Sequence, residues 1–197
     1  MRWSWFAVAY ALLGAVAWVI AVAARGASPF LHPQPWLALP PHAAHTYSLA
    51  LGVAFGGLVV MATRASVERF GWARRLHGEL RPVARSMDGT FIVLLALASA
   101  FGEELLFRGL LQPWLGLVPQ ALLFGVVHQM RGPSRWVWVA WATAVGLLLG
   151  VLYRLTGSLV GPIGLHALVN AVNLQYLRSH DAEPRRRSLG GLLDSPR

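Results

Sequence analysis

Six apolar segments constrain this chain more than any other feature, running approximately over 5–24, 46–63, 89–114, 118–130, 136–153 and 159–176. In lipid, each backbone N–H or C=O without an internal partner costs several kcal/mol, so such segments span a membrane only as helices or as a closed barrel. Most are close to the ~20 residues that a helix needs to cross the hydrocarbon core. The expected fold class is therefore all-α, a polytopic membrane bundle of about six transmembrane segments. The fourth segment is short, and spans only if the chain stays helical towards Trp136 or the bilayer thins around it. The first reads as a retained span, too long for a cleaved leader. Gly52, Gly56 and Gly57 offer the second segment a small face for close helix packing.

Composition agrees: 56% of the 197 residues are hydrophobic and 13% charged, too apolar for an ordinary soluble domain. Trp3, Trp5, Trp36, Trp114, Trp136, Trp138, Tyr153 and Tyr176 sit near segment ends, where aromatic belts meet the interface. The net charge of +9 would suggest nucleic acid in a soluble protein. Here the arginines lie between and after apolar segments, where the positive-inside rule accounts for them, and no nucleic-acid partner is expected. With no cysteine in the chain, disulfides and thiolate metal sites are excluded.

The stretch 64–88 interleaves Arg64, Arg69, Arg74, Arg75, Arg81 and Arg85 with Val67, Phe70, Trp72, Leu76 and Leu80, the pattern of a basic helix lying along headgroups. Placing it inside also puts Arg131, Arg135 and the arginine-rich end of the chain inside, leaving Arg25 and Arg154 outside. Both termini are then cytoplasmic. The use of arginine to the exclusion of lysine points to a GC-rich bacterial genome, and so to a bacterial inner membrane. Residues 1–176 read as one membrane-embedded helical domain with its core over 90–176, and 177–197 as a basic, disordered tail. His32, His42 and His45, in the Pro- and His-rich stretch after the first segment, read as solvated loop residues.

Against this background the adjacent acids Glu103 and Glu104 are expensive, because a charge at bilayer depth costs a few kcal/mol on the mildest scales and marks a functional site by default. With turns near Gly116 and Gly157, Glu103, His128 and His166 fall roughly 15–20 Å from one membrane face at 1.5 Å per helical residue. Three helices thus offer polar groups at one level. Glu104 and Arg108 are four apart with the acid N-terminal, the favourable order for a helical ion pair; Glu103 lies about 100° away around the helix. His166 and Asn170 share a face, as do Phe124 and His128, and Asn173 lies near the first pair. In chemical terms, Glu103 is a candidate general base for water and His128 a group that shares or orients it. His166 and the Asn170 amide are candidate donors to a developing oxyanion. Glu104, Arg108, Phe124 and Asn173 are expected to support them.

These residues form three motifs: EExxxR over Glu103 to Arg108, FxxxH over Phe124 to His128, and HxxxN over His166 to Asn170. In them the chain resembles the CAAX protease and bacteriocin-processing family of intramembrane proteases, over about 90–176. The resemblance implies a glutamic-type peptidase without a cofactor, in which Glu103 and His128 activate water while His166 and Asn170 bind the oxyanion. It implies a membrane-associated protein or peptide as substrate. A zinc reading would use Glu103, His128 and His166, although no HExxH is present. An alternative from another class is a non-catalytic bacteriocin-immunity protein. A proton-coupled transporter is disfavoured because the chain has no inverted repeat, and a rhomboid-type serine protease because the sequence around Ser158 lacks a GxSG turn.

Overall fold

The computed structural model describes residues 4–182. Their architecture is all-α, with seven helices: α1 (Ser4–Arg25), α2 (Pro41–Arg69), α3 (Gly71–Arg85), α4 (Gly89–Leu115), α5 (Leu117–Val127), α6 (Arg135–Thr156) and α7 (Val160–Ser179). Trp3 and the run Arg185 to Arg187, read above as belt and tail, lie outside the described residues. Helix α7 itself continues to Ser179, beyond the expected boundary at 176.

Four helices, α1 from Trp5, α2, α4 and α6, are long and apolar enough to cross a membrane. The other two expected segments are helical as well, but differ from a simple span for separate reasons. Helix α5 has only 11 residues. Helix α7 has 20, but His166, Asn170, Asn173 and Gln175 lower its hydropathy. Trp5, Leu12, Val16 and Val19 of α1 are exposed, which suits contact with lipid. The chain is an integral membrane protein built from several apolar helices.

Helix α2 is longer than expected at both ends. Arg64 and Arg69 belong to its last turns, and the chain breaks only at Phe70, whose backbone is extended. The basic amphipathic helix follows as α3, burying Ala73, Leu76, His77 and Ala84 while Arg75 and Arg85 face outward. His42 and His45 lie in the first turns of α2 and not in a loop. His45 is also not solvated in the manner expected: its Nδ1 lies 2.7 Å from Ser158 Oγ.

Small residues set the helix crossings. A side chain at Gly52 would collide with the backbone of Gly161, and one at Gly56 with Leu168, so α2 and α7 meet backbone to backbone; Gly57 faces open space. Gly102 packs α4 against the Tyr10 carbonyl of α1, and Gly125 seats α5 against Thr143 and Val139 of α6. The turns fall where the sequence placed them: Gly116 (φ 86°) and Gly157 (φ 75°) adopt the left-handed backbone that glycine tolerates best.

Two features were not legible in advance. Over Leu105–Leu111, helix α4 widens into a π-helix, a distortion often found at functional sites. Just beyond, Pro113 has no N–H to offer the carbonyl of Gly109, and Arg25 of α1 donates to that carbonyl at 2.8 Å. The second feature is the connection 26–40, which folds back over the α6–α7 turn. The His32 N–H donates to Gly157 O at 2.9 Å, that of Trp36 to Arg154 O at 2.7 Å, and the Tyr153 hydroxyl to Pro29 O at 2.8 Å. His32 packs edge-on against Tyr153.

Candidate active site

The α-to-π junction of α4 carries both carboxylates. Glu104 and Arg108 are wholly buried, and Arg108 Nη1 donates to Glu104 Oε1 at 2.8 Å, the pair expected from their spacing. Arg108 Nη2 donates to Gly146 O at 3.0 Å, and one turn on Gln112 Nε2 donates to Gly150 O at 2.9 Å. The two glycines, four apart on α6, bring their carbonyls within reach of two side chains four apart on α4. The guanidinium also lies 4.3 Å from the Phe124 ring centroid, so its charge meets a carboxylate, a carbonyl and an aromatic face.

Glu104 does more than the sequence suggested, because the same Oε1 accepts from His166 Nδ1 at 2.7 Å. His166 is thereby turned so that its Nε2 lies 3.9 Å from Glu103 Oε2. His128 Nε2 stands 3.3 Å from that same oxygen. The expected convergence of α4, α5 and α7 on Glu103 is therefore present. His128 does not ride inside a helix, however; it caps the C-terminus of α5. Its Nδ1 is 2.7 Å from Phe124 O, which accepts only, so Nδ1 carries a proton. In the neutral ring Nε2 is then an acceptor. Facing a carboxylate oxygen, it forms an attractive contact only when one proton is held between the two groups, on the carboxyl or on the ring.

Asn170 lies on the same face of α7 as His166, but its Nδ2 donates to Ser99 Oγ of α4 at 3.2 Å. Phe124 is an aromatic wall, 4.2 Å from the His128 ring centroid and 5.9 Å from that of His166. Both oxygens designated Oε2, of Glu103 and Glu104, and Asn173 Oδ1 are buried and accept no hydrogen bond from the described residues. Glu103, His128, His166, Asn170 and Asn173 all line one cavity of about 310 Å³. Its remaining walls are largely apolar and include Trp72, Trp138 and Trp141.

Two contributors were missed. Tyr10 of α1 also lines the cavity that Glu103 lines; a tyrosine in the middle of the first apolar segment was the available signal. Ser99, one turn before Glu103, was visible only as a small residue suited to helix packing.

Among the described residues no group of three or more His, Asp or Glu side chains is arranged to hold a metal ion. Glu103, His128 and His166, the set named for zinc, converge as a carboxylate oxygen with two Nε2 atoms at 3.3 and 3.9 Å. Such a cluster can hold and share protons around a small oxygen species. It lies beside the Asn170 amide in a largely apolar enclosure, an arrangement chemically able to support hydrolysis of a carbonyl compound.

Comparison with known proteins finds a family that these residues resemble. Residues 86–172, which contain all three motifs, match the family described as type II CAAX prenyl endopeptidase Rce1-like. The uncharacterized protein YpbD of Bacillus subtilis is 42% identical over 122 residues, covering 61% of this chain and 64% of that protein. The chain thus matches somewhat less than two thirds of that relative's length. No solved structure matches the chain. The segment that builds the site is thus similar to the Rce1-like family of type II CAAX prenyl endopeptidases.

Proposed function

We propose that this protein is an intramembrane endopeptidase that hydrolyses a peptide bond near the end of a membrane-associated protein or peptide. The observation that carries the reading is the approach of His128 Nε2 to Glu103 Oε2 at 3.3 Å, with the other ring nitrogen fixed on Phe124 O. With Glu103 ionised and the His128 ring neutral, a water beside Glu103 loses a proton to the pair as its oxygen attacks the scissile carbonyl, and the pair then holds that one proton at the Glu103–His128 contact. The tetrahedral oxyanion accepts from His166 Nε2 and the Asn170 amide, and the proton held by the pair passes to the leaving amine. With Nδ1–H committed to Glu104, His166 needs a proton on Nε2 to donate there, and the developing oxyanion offsets the added charge. For Asn170 to donate, its amide exchanges Ser99 for substrate. No resident metal takes part in this scheme. The protein is assigned to a bacterial inner membrane, with the arginine-rich α2–α3 side and both termini in the cytoplasm.

The test compares the membrane proteome of cells carrying the wild type with that of cells carrying Glu103→Gln. The expected result is a membrane-anchored protein whose terminus is trimmed only in the wild type. Identical termini in both, with both proteins inserted at equal levels, would refute the proposal. Loss of cleavage by purified protein on treatment with a zinc chelator would overturn the metal-free scheme alone.

A further inference from the structure

Helix α3 follows α2 and precedes α4, and its inner face lines the cavity that reaches Glu103. Trp72, Ala73, Leu76, His77 and Leu80 all line that cavity. The helix is nevertheless attached unlike its neighbours. None of its residues belongs to the three apolar core clusters of the described residues. Non-helical joints bound it, at Phe70 with φ −117° and ψ 131° on one side and from Ser86 to Asp88 on the other.

Polar contacts span from α3 to the helices across the cavity mouth on both sides, beside the edge-on packing of His77 against Tyr176. Towards α6, Glu79 accepts from Ser134 Oγ at 2.8 Å and from the Ser134 N–H at 3.3 Å. Towards the end of α7, Arg81 pairs with Asp181 at 3.1 Å and donates through Nε to His180 O at 2.9 Å, while His77 Nε2 lies 3.0 Å from the same carbonyl. The contacts of Arg81 are exposed or half-exposed and contribute little individually, because water competes for both partners, whereas Ser134 and His77 are buried. A helix bounded by two joints and held by polar latches can swing as one body when the latches release.

We propose that α3 is a hinged roof over the cavity, and that release of the Glu79 and Arg81 latches opens the route to Glu103. The proposal regulates access to the site read above as a peptidase, and its test measures access alone. The chain has no cysteine, so Ser99→Cys places a single thiol in the cavity wall beside the site. Its alkylation by a water-soluble maleimide is followed in the full chain reconstituted in nanodiscs, with the latches intact and with Glu79→Ala or Arg81→Ala. Ser28→Cys, in the exposed connection after α1, reports on the opposite end of the bundle. The expected result is severalfold faster labelling at Ser99→Cys in either latch variant, with labelling at Ser28→Cys unchanged. Equal rates with and without the latches would overturn the proposal, as would acceleration at both thiols, which signals general loosening. Repeating the measurement with Glu103→Gln leaves the expected result unchanged, so failure of the peptidase reading and failure of the roof are distinguished.

Discussion

Nδ1 of His166 stands 2.7 Å from Oε1 of Glu104, the same oxygen that Arg108 holds at 2.8 Å. One buried carboxylate therefore joins a pair that ties α4 to α6 with a ring that faces Glu103. The two acids differ in role because they point in different directions from the same helix. Glu104 points into the bundle, where it meets permanent partners; Glu103 points into the cavity.

Arg108→Ala leaves Glu104 without its cation and Gly146 O without its donor. Breaking a buried pair in this way costs about 3–5 kcal/mol, read as a lower unfolding midpoint in detergent. Arg108→Lys recovers only part of the loss, since an ammonium does not reproduce the planar fork that reaches both acceptors. Parent-like stability in Arg108→Ala would contradict this account of the pair.

His166→Ala keeps the Glu104–Arg108 pair while deleting the ring that faces Glu103. On the substrate identified by the Glu103→Gln comparison, kcat is expected to fall by about 10²–10³ with little change in KM, the usual scale for an oxyanion donor. An increase in KM alone would instead assign His166 to substrate binding.

Gly125→Ala tests the α5–α6 crossing. The added methyl meets Thr143 Oγ1 and the Val139 carbonyl, and backbone cannot swing aside as a side chain can. Overpacking of this kind typically costs about 1–3 kcal/mol, and His128 at the end of α5 is displaced with it. A denaturation midpoint equal to that of the parent would show that the helices have room to part.

His32 gives the connection 26–40 a pH dependence. Burial, and then the charges of Arg154 and Arg25, push its pKa down from the usual 6.5 to about 4. The folded state thus favours the neutral ring, and the unfolded chain binds more protons between these values. The stability it contributes is complete above about 6.5 and is lost as pH falls towards about 4. Melting temperature measured across that window should fall less steeply in His32→Gln than in the parent; identical slopes would remove His32 as the cause.

Much of the site is legible from spacing. The motifs place Glu104 one turn from Arg108 and His166 one turn from Asn170, and helical periodicity does the rest, since the side chains are aligned before any tertiary contact forms. The turns at Gly116 and Gly157 were equally readable, because a left-handed residue needs glycine. His128 was readable as a site member but not as a helix cap, because an apolar run does not reveal where its helix stops. The bond between His166 and Glu104 was not readable, as it joins residues 62 positions apart.

The sequence alone determined the all-helical class, the polar level within an apolar bundle and the identity of the residues that meet there. Those properties follow from hydropathy, period and the cost of isolated charge in lipid, all of which are local. Only the tertiary structure decided which oxygen serves which ring, that Tyr10 and Ser99 join the site, and that α3 lines its cavity. Such choices depend on where glycines let helices approach one another.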